Sequence, residues 1–260
     1  MTGQSLTSAT TSRRSGIGKA LVAIVFGYAL ALLLKNDSVF FLGLLGVFVM
    51  AGGYIALSLA TYPKASGRGA SDVHRPDPHA AVKAHYTAIL CWFAAQAAVA
   101  AAGLAAAAVL GTTYLFPLMP LSIVAAVMGL AWTSTGMYWT WKCARAVRAF
   151  QPVVRPFVPL NLSGSGKRSL RLGDVGSGAS PIMAGMDPLL HNRWPAGGED
   201  WAWFAGDDAF GGVVMLPHSG MLIFAQPKEW QKTGPDREAA GPERTEQARQ
   251  AALLKRAKKL

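Results

Sequence analysis

The sequence predicts a multi-pass α-helical membrane protein that ends in a small, β-rich domain. Of its 260 residues, 52% are hydrophobic and only 15% are charged, which is more apolar than a typical soluble fold. The charge is also segregated, because residues 86–141 contain no Asp, Glu, Lys or Arg. Short apolar segments and alternating tryptophans then follow in residues 187–230, a pattern typical of strands. We therefore expect a four-span transmembrane bundle followed by a folded domain at residues 142–235.

Each predicted span is an apolar run long enough to cross a hydrocarbon core of about 30 Å at about 1.5 Å per residue. A polar, Ser- and Thr-rich stretch comes first, and we expect residues 1–16 to be a disordered leader. A basic loop with three prolines, residues 61–85, separates the second span from the third. The spans are predicted at residues 17–34, 39–60, 86–110 and 114–141.

The distribution of Lys and Arg predicts the orientation, because such residues stay on the cytoplasmic side of short loops. Basic residues flank the first span, fill the loop at 61–85 and follow the fourth span, whereas Lys35 alone is expected on the opposite side. We expect a bacterial inner-membrane protein with both termini in the cytoplasm. The alternative, a twin-arginine export signal at Arg13 and Arg14, would place a basic segment outside after cleavage.

Small residues predict close helix packing in the membrane. Glycines let helix backbones approach closely, which favours helix association in lipid. We expect the second and third spans to pack tightly or to self-associate through these residues. The glycines concerned are Gly43, Gly46, Gly52, Gly53 and Gly103.

Polar groups inside the spans are few. Gln96 and Ser122 are expected to bond to neighbouring helices. The hydrophobic centres carry no ionisable group, which argues against a proton-driven transporter. A transporter or channel subunit is kept as an alternative function.

The C-terminal part contains several strand patterns and one helix pattern. Residues 213–216 and 221–224 predict a β-hairpin, and Trp201 and Trp203 alternate on a further strand. The proline-containing segment 151–162 is expected to be an extended spacer. Residues 236–260 are predicted to be a basic helical tail, with the helix starting at Pro242.

Basic residues near the membrane are candidates for contact with lipid headgroups. Lys142, Arg145 and Arg148 follow the aromatic residues at 138–141, which resemble an interfacial belt. A phosphate-binding loop at residues 164–167 fails, because Asn161 replaces the first glycine and Arg168 the required Ser or Thr. We therefore expect Lys167 and Arg168 to form a basic turn that meets anionic headgroups.

Catalytic candidates are His191, Asp207, Asp208 and His218, since carboxylates and histidines can transfer protons. However, Asp207 and Asp208 follow a glycine in a predicted tight turn, where Asp has a structural use. We therefore assign no catalytic residue. Two cysteines cannot form a disulfide framework or a thiolate zinc site, and no metal or cofactor is expected.

The favoured function is a non-enzymatic membrane protein whose cytoplasmic domain binds a protein partner. Arg193, Trp194, Trp201 and Trp203 are the predicted partner-binding residues. We expect such a protein to be a component of a secretion or conjugation apparatus, or an accessory, exclusion or regulatory factor of one. Expected partners are membrane lipids and other membrane or cytoplasmic proteins. A homo-oligomer is kept as an alternative, and nucleic acid is not expected. The alternative is a membrane-interface enzyme that acts on lipid or peptide.

Overall fold

The computed structural model describes residues 4–35, 39–62, 77–109, 117–162, 168–173, 181–189, 194, 200–217 and 219–254. The chain divides into two compact units. The first comprises Met1–Pro63 and Leu90–Thr133, and the second comprises Lys64–Ile89 and Ser134–Leu260. The packing within each unit is described separately below.

Among the described residues, four helices are long and apolar enough to cross a membrane. A short 3-10 turn, Leu32–Lys35, follows the first of them. The prediction of four apolar helices long enough to span a membrane is therefore confirmed. The helices are α1 (Gln4–Ala31), α2 (Phe40–Thr61), α3 (Pro78–Val109) and α4 (Leu118–Ala149).

Three of these helices extend beyond the apolar runs that predicted them. Helix α1 begins at Gln4, so the stretch expected to be a disordered leader is helical from that residue. Helix α3 begins at Pro78, where the Asp77 Oδ1 accepts a 2.8 Å hydrogen bond from the Ala80 amide. Proline at the first helical position and a capping aspartate before it start a helix independently of hydrophobicity. Helix α4 likewise continues to Ala149.

Glycines bring α1 and α2 into close contact. A β-carbon built on Gly27 would lie 2.5 Å from the amide nitrogen of Met50, well inside van der Waals contact. One built on Gly46 would collide with the backbone of Ala31. Close backbone approach of this kind gains dispersion energy that lipid cannot replace.

The prediction that the second span packs tightly against the third is therefore wrong, because the second span packs against the first. Gly43, Gly46 and Gly53 of α2 all meet residues of α1 or the turn that follows it. A β-carbon built on Gly52 would meet no other part of the protein within 4 Å, and one built on Gly103 would meet Ser122 of α4. The number of small residues in a span does not identify the helix that it packs against, and α1 contributes only Gly27 to this contact alongside the three glycines of α2.

Polar and aromatic side chains connect α2, α3 and α4 within the first unit. The Tyr54 hydroxyl donates a hydrogen bond to Gln96 Oε1, which confirms that Gln96 bonds to a neighbouring helix. Ser122 instead donates to the Leu118 carbonyl of its own helix, at 2.9 Å. Further along, the Tyr62 ring packs edge-on against the rings of Trp92 and Trp132, with centroids 4.9 and 5.2 Å away.

The second unit contains a closed antiparallel barrel of six strands. In chain order they are β1 (Val153–Leu162), β2 (Arg168–Leu172), β3 (Met183–Met186), β4 (Trp201–Asp207), β5 (Gly211–Met215) and β6 (Leu222–Pro227). Around the barrel the strand order is β1, β2, β3, β6, β5, β4. Two short helices follow, α5 (Gly234–Glu238) and α6 (Gly241–Gln250). The expected β-rich C-terminal domain and its β5–β6 hairpin are confirmed.

Strands β4, β5 and β6 are buried on both faces. One cross-strand row, Phe204, Val214 and Ile223, points into the barrel and forms what we call the inner core. The next row, Ala205, Val213 and Phe224, points outward into the outer core. The outer core also contains residues of α3, α4 and the C-terminal segment, among them Val82, Val147, Ala248 and Leu253. Double burial explains why these strands are nearly continuous apolar runs.

Two C-terminal segments differ from their predictions. The expected spacer at residues 151–162 is strand β1 from Val153 onward, paired with β2 and β4. Two prolines, Pro156 and Pro159, lie within the strand, although each lacks the amide hydrogen that a ladder bond needs. The expected tail helix ends at Gln250, and Ala251 and Leu253 after it are buried in the outer core. Residues 255–260 lie outside the described part.

The α1–α2 contact gives a stability prediction with an internal control. We expect Gly46→Leu to lower the free energy of unfolding by about 1–3 kcal/mol, because a large side chain cannot enter a packed helix contact. Gly52→Leu on the same helix should change it by less than about 0.5 kcal/mol, since nothing lies within 4 Å of a β-carbon there. Thermal unfolding of the full chain in mild detergent measures both, and equal losses would contradict the assigned contact.

Candidate functional site

Asp207 and Asp208 form the turn between β4 and β5. The Asp207 Oδ1 accepts a 2.9 Å hydrogen bond from the Ala209 amide, as in a turn that aspartate stabilises with its own side chain. Opposite it, Gly211 has a φ of +93°, a conformation that favours glycine. The predicted structural turn is present.

Arginines occupy both carboxylates of this turn. The Asp207 Oδ2 lies 2.6 Å from Nη2 and 2.8 Å from Nε of Arg244, a residue of α6. The Asp208 Oδ2 lies 3.2 Å from Nη2 of Arg155 on β1. Asp207 is thus bonded to both a guanidinium and a backbone amide, and Asp208 to a guanidinium, contacts that suit a structural role. The other two catalytic candidates, His191 and His218, lie outside the described residues.

Most tryptophans named as partner-binding residues help to form cores. Trp203 is buried in the outer core, and the half-buried Trp201 packs edge-on against it with ring centroids 6.0 Å apart. Trp194 packs against Phe157 of the inner core at 5.4 Å. Trp203 therefore offers little surface to a partner, whereas Trp201 and Trp194 remain partly exposed. Arg193 lies outside the described residues.

Arg168 is fully buried, so the expectation that it meets lipid headgroups is wrong. Its Nη2 lies 3.5 Å from Oδ2 of Asp187, and its Cζ lies 5.0 Å from the centre of the Trp194 ring. Burial lowers the pKa of the Arg168 guanidinium from its ordinary value, and the Asp187 charge opposes that shift. The two basic residues at 167–168 indicate charge. They do not indicate whether the Arg168 side chain points into the barrel or away from it. Lys167 lies outside the described residues.

The basic end of α4 combines cations with aromatic rings. The Lys142 Nζ lies 5.1 Å from the centres of the Tyr138 and Trp139 rings, within the range of cation–π attraction. Arg145 stacks over Trp141 at 5.0 Å and donates a 2.6 Å hydrogen bond to the Gln250 carbonyl. Arg148 is exposed. This segment keeps the features expected of a membrane interface.

An apolar patch lies on the outside of the barrel where β1 pairs with β4. Val154 is opposite Trp203, and Pro156 is opposite Trp201. Residues directly opposite each other share a face of the sheet, so Val154, Pro156 and Trp201 form one outward surface, the β1–β4 patch. Val154 is 51% exposed and Pro156 is also exposed. The sequence predicted only Trp201 as a partner-binding residue. Val154 and Pro156 lie beside it because β1 pairs with β4, and these two strands are far apart in the sequence.

A groove of about 440 Å³ lies on the outer face of β2, β3 and β6. Trp139 of α4 lines it together with Phe224 and Met186, and Lys228 follows the end of β6. No sequence motif marks this groove, since its residues come from four separated segments.

Metal-ligand side chains do not gather in the described part of the chain. No group of three or more His, Cys, Asp or Glu residues there could hold an ion. His85 is buried, with its Nδ1 2.9 Å from the Ala81 carbonyl oxygen. Cys91 and Cys143 are free thiols.

Known proteins offer no further assignment. Neither a family model, nor a curated protein, nor a solved structure matches this chain.

The turn at Asp207 can be tested as a structural element. We expect Asp207→Ala to lower the free energy of unfolding by about 1–3 kcal/mol, because it removes a charged hydrogen-bond acceptor from a backbone amide and from Arg244. Asp200→Ala, at an exposed aspartate before β4, should change it by less than about 0.5 kcal/mol. Chemical denaturation of the full chain in detergent compares them, and an unchanged stability of Asp207→Ala would reopen a functional role for this carboxylate.

The buried pair gives a second stability prediction. Arg168→Met should cost about 3–5 kcal/mol, because it leaves the buried Asp187 carboxylate without its cation. The double variant Arg168→Met with Asp187→Asn should recover part of that loss, since no net charge remains buried. The same denaturation measurement applies, and a double variant no more stable than the single one would show that the pair is not coupled.

Proposed function

We propose that this chain is a multi-pass protein of a bacterial inner membrane whose C-terminal barrel domain binds a protein partner in the cytoplasm. Its role would be non-enzymatic, as a component, accessory, exclusion or regulatory factor of a secretion or conjugation apparatus. Four apolar helices support the membrane location. The excess of Lys and Arg at 61–85 and after residue 141 supports cytoplasmic placement of those segments and of both termini.

The environment of the acidic residues supports binding over catalysis. A general acid or base has to exchange its proton with a substrate. Asp207 instead bonds to a backbone amide and to Arg244, and Asp208 bonds to Arg155. Both aspartates therefore have the contacts of groups that hold a turn in place.

The β1–β4 patch is the observation that carries the proposal. Val154, Pro156 and Trp201 form an outward apolar surface on a closed, antiparallel sheet. A partly exposed tryptophan beside aliphatic side chains is the usual centre of a protein interface, because it buries much apolar area with little loss of side-chain freedom.

Adjacent residues of β1 provide a matched test of the patch. Val153 and Val154 are 50% and 51% exposed, yet alternate residues of a strand point to opposite faces. We expect a photo-reactive residue at 154 to form a discrete protein adduct in the native host, and the same residue at 153 to form little. Val154→Asp should reduce copurification of that protein at least tenfold, and Val153→Asp less than twofold. Equal adducts at both positions, or none at 154, would contradict the proposal.

The orientation has its own test. Green fluorescent protein fused after residue 254 should be fluorescent, because it folds in the cytoplasm, and alkaline phosphatase at the same position should be inactive. A fusion after Lys35, the last residue of the turn that follows α1, should give the opposite pair of results. Phosphatase activity at the C-terminal position would place the barrel domain in the periplasm and remove the proposed cytoplasmic partner.

A further inference from the structure

The groove on β2, β3 and β6 has two cross-strand rows as its floor. Ser169, Ala184 and Gln226 are paired across the three strands, and Met186 is paired with Phe224. Because paired residues share a face, both rows point out of the barrel into the groove. Trp139 of α4 forms an apolar wall. The groove is therefore polar along one row and apolar along the other.

Two lysines lie at this groove, one in its lining and one beside it. Lys228 lines it, and the Lys142 Nζ lies 4.9 Å from the centre of the Phe224 ring on its floor. No carboxylate is among the described residues that line it. The nearby Glu229 pairs with Lys232, and the buried Arg168 has its charge balanced by Asp187. The described lining therefore presents the Lys228 ammonium group, with that of Lys142 beside it, and no carboxylate.

The groove also adjoins the interfacial segment of α4. Trp139, which forms its wall, lies between Tyr138 and Trp141, and the charged part of the helix begins at Lys142. Aromatic belts followed by lysine mark the level of the phospholipid headgroups. An occupant of the groove would therefore meet phosphate-level charge beside the apolar rings of Trp139 and Phe224.

We propose that this groove binds the headgroup of an anionic phospholipid from the surrounding membrane. Lys142 and Lys228 would contact the phosphate, Ser169 and Gln226 the polar headgroup, and Trp139 with Met186 the first acyl carbons. A volume of about 440 Å³ lies within the range of small-molecule sites and suits a headgroup. This site rests on the membrane insertion proposed above but is independent of the protein partner.

Lipid titration into the full-length protein tests the assignment. Phosphatidylglycerol and phosphatidylcholine with identical acyl chains are added in non-ionic detergent, and bound lipid is counted by native mass spectrometry. We expect phosphatidylglycerol to bind at least tenfold more tightly. Lys142→Gln and Lys228→Gln should each weaken its binding about fivefold, the usual effect of one basic residue near anionic lipid.

Two further variants separate groove binding from general attraction to a basic protein. Lys232→Gln removes an exposed lysine that pairs with Glu229, and it should weaken binding less than twofold. Ala184→Phe fills the floor without changing charge and should weaken binding at least fivefold, with an unchanged unfolding temperature in lipid-free detergent as the folding control. Equal effects of Lys228→Gln and Lys232→Gln would overturn the site. So would unchanged binding by a folded Ala184→Phe protein.

Competition identifies the source of the phosphate. Soluble glycerol phosphate at millimolar concentration should leave the lipid bound, because it lacks the acyl carbons that contact Trp139. Complete displacement would assign the groove to a soluble phosphate compound, and displacement by an acidic peptide would assign it to a protein segment; either result overturns the proposal. Alkaline carbonate extraction distinguishes the two hypotheses, since release of the chain contradicts membrane insertion, whereas a retained chain without lipid preference contradicts the groove alone.

Discussion

Burial of β4, β5 and β6 on both faces is the constraint on which the second unit depends. The row of Phe204, Val214 and Ile223 fills the barrel, and the neighbouring row that contains Phe224 packs against helices. A strand that is buried on both sides tolerates neither a register shift nor a polar substitution, because a shift by one residue exchanges the two cores. The turn at Asp207 matters for this reason, since it fixes the register between β4 and β5.

The sequence predicted local features well and long-range ones poorly. Four apolar runs, the β5–β6 hairpin and the turn at Asp207 follow from hydrophobicity and turn chemistry, which act over a few residues. The identity of the α1–α2 contact does not, because it depends on which helix meets Gly46. Strand β1 was mistaken for a spacer, since its prolines hide a pairing with residues such as Trp203 that lie far along the chain.

The same distinction between local and long-range features applies to the candidate site residues. The structural role of Asp207 could be inferred from the glycine before it, whereas the buried state of Arg168 could not be inferred from its basic neighbours. Net charge suggests that the protein has anionic partners but does not locate them. Only the tertiary structure distinguishes a lysine that faces an open groove, such as Lys228, from an arginine whose charge is already balanced.

Residues close to the C-terminus of the described chain complete the outer core, and this affects how the domain can be made. Ala248, Ala251 and Leu253 are fully buried, and the Gln226 side chain donates a 2.7 Å hydrogen bond to the Leu253 carbonyl. A ribosome releases these residues after α3, α4 and the whole barrel. While they are still inside the exit tunnel, part of the apolar outer surface of β4–β6 is uncovered. Exposed apolar surface of this kind promotes aggregation of a nascent domain and is what chaperones bind.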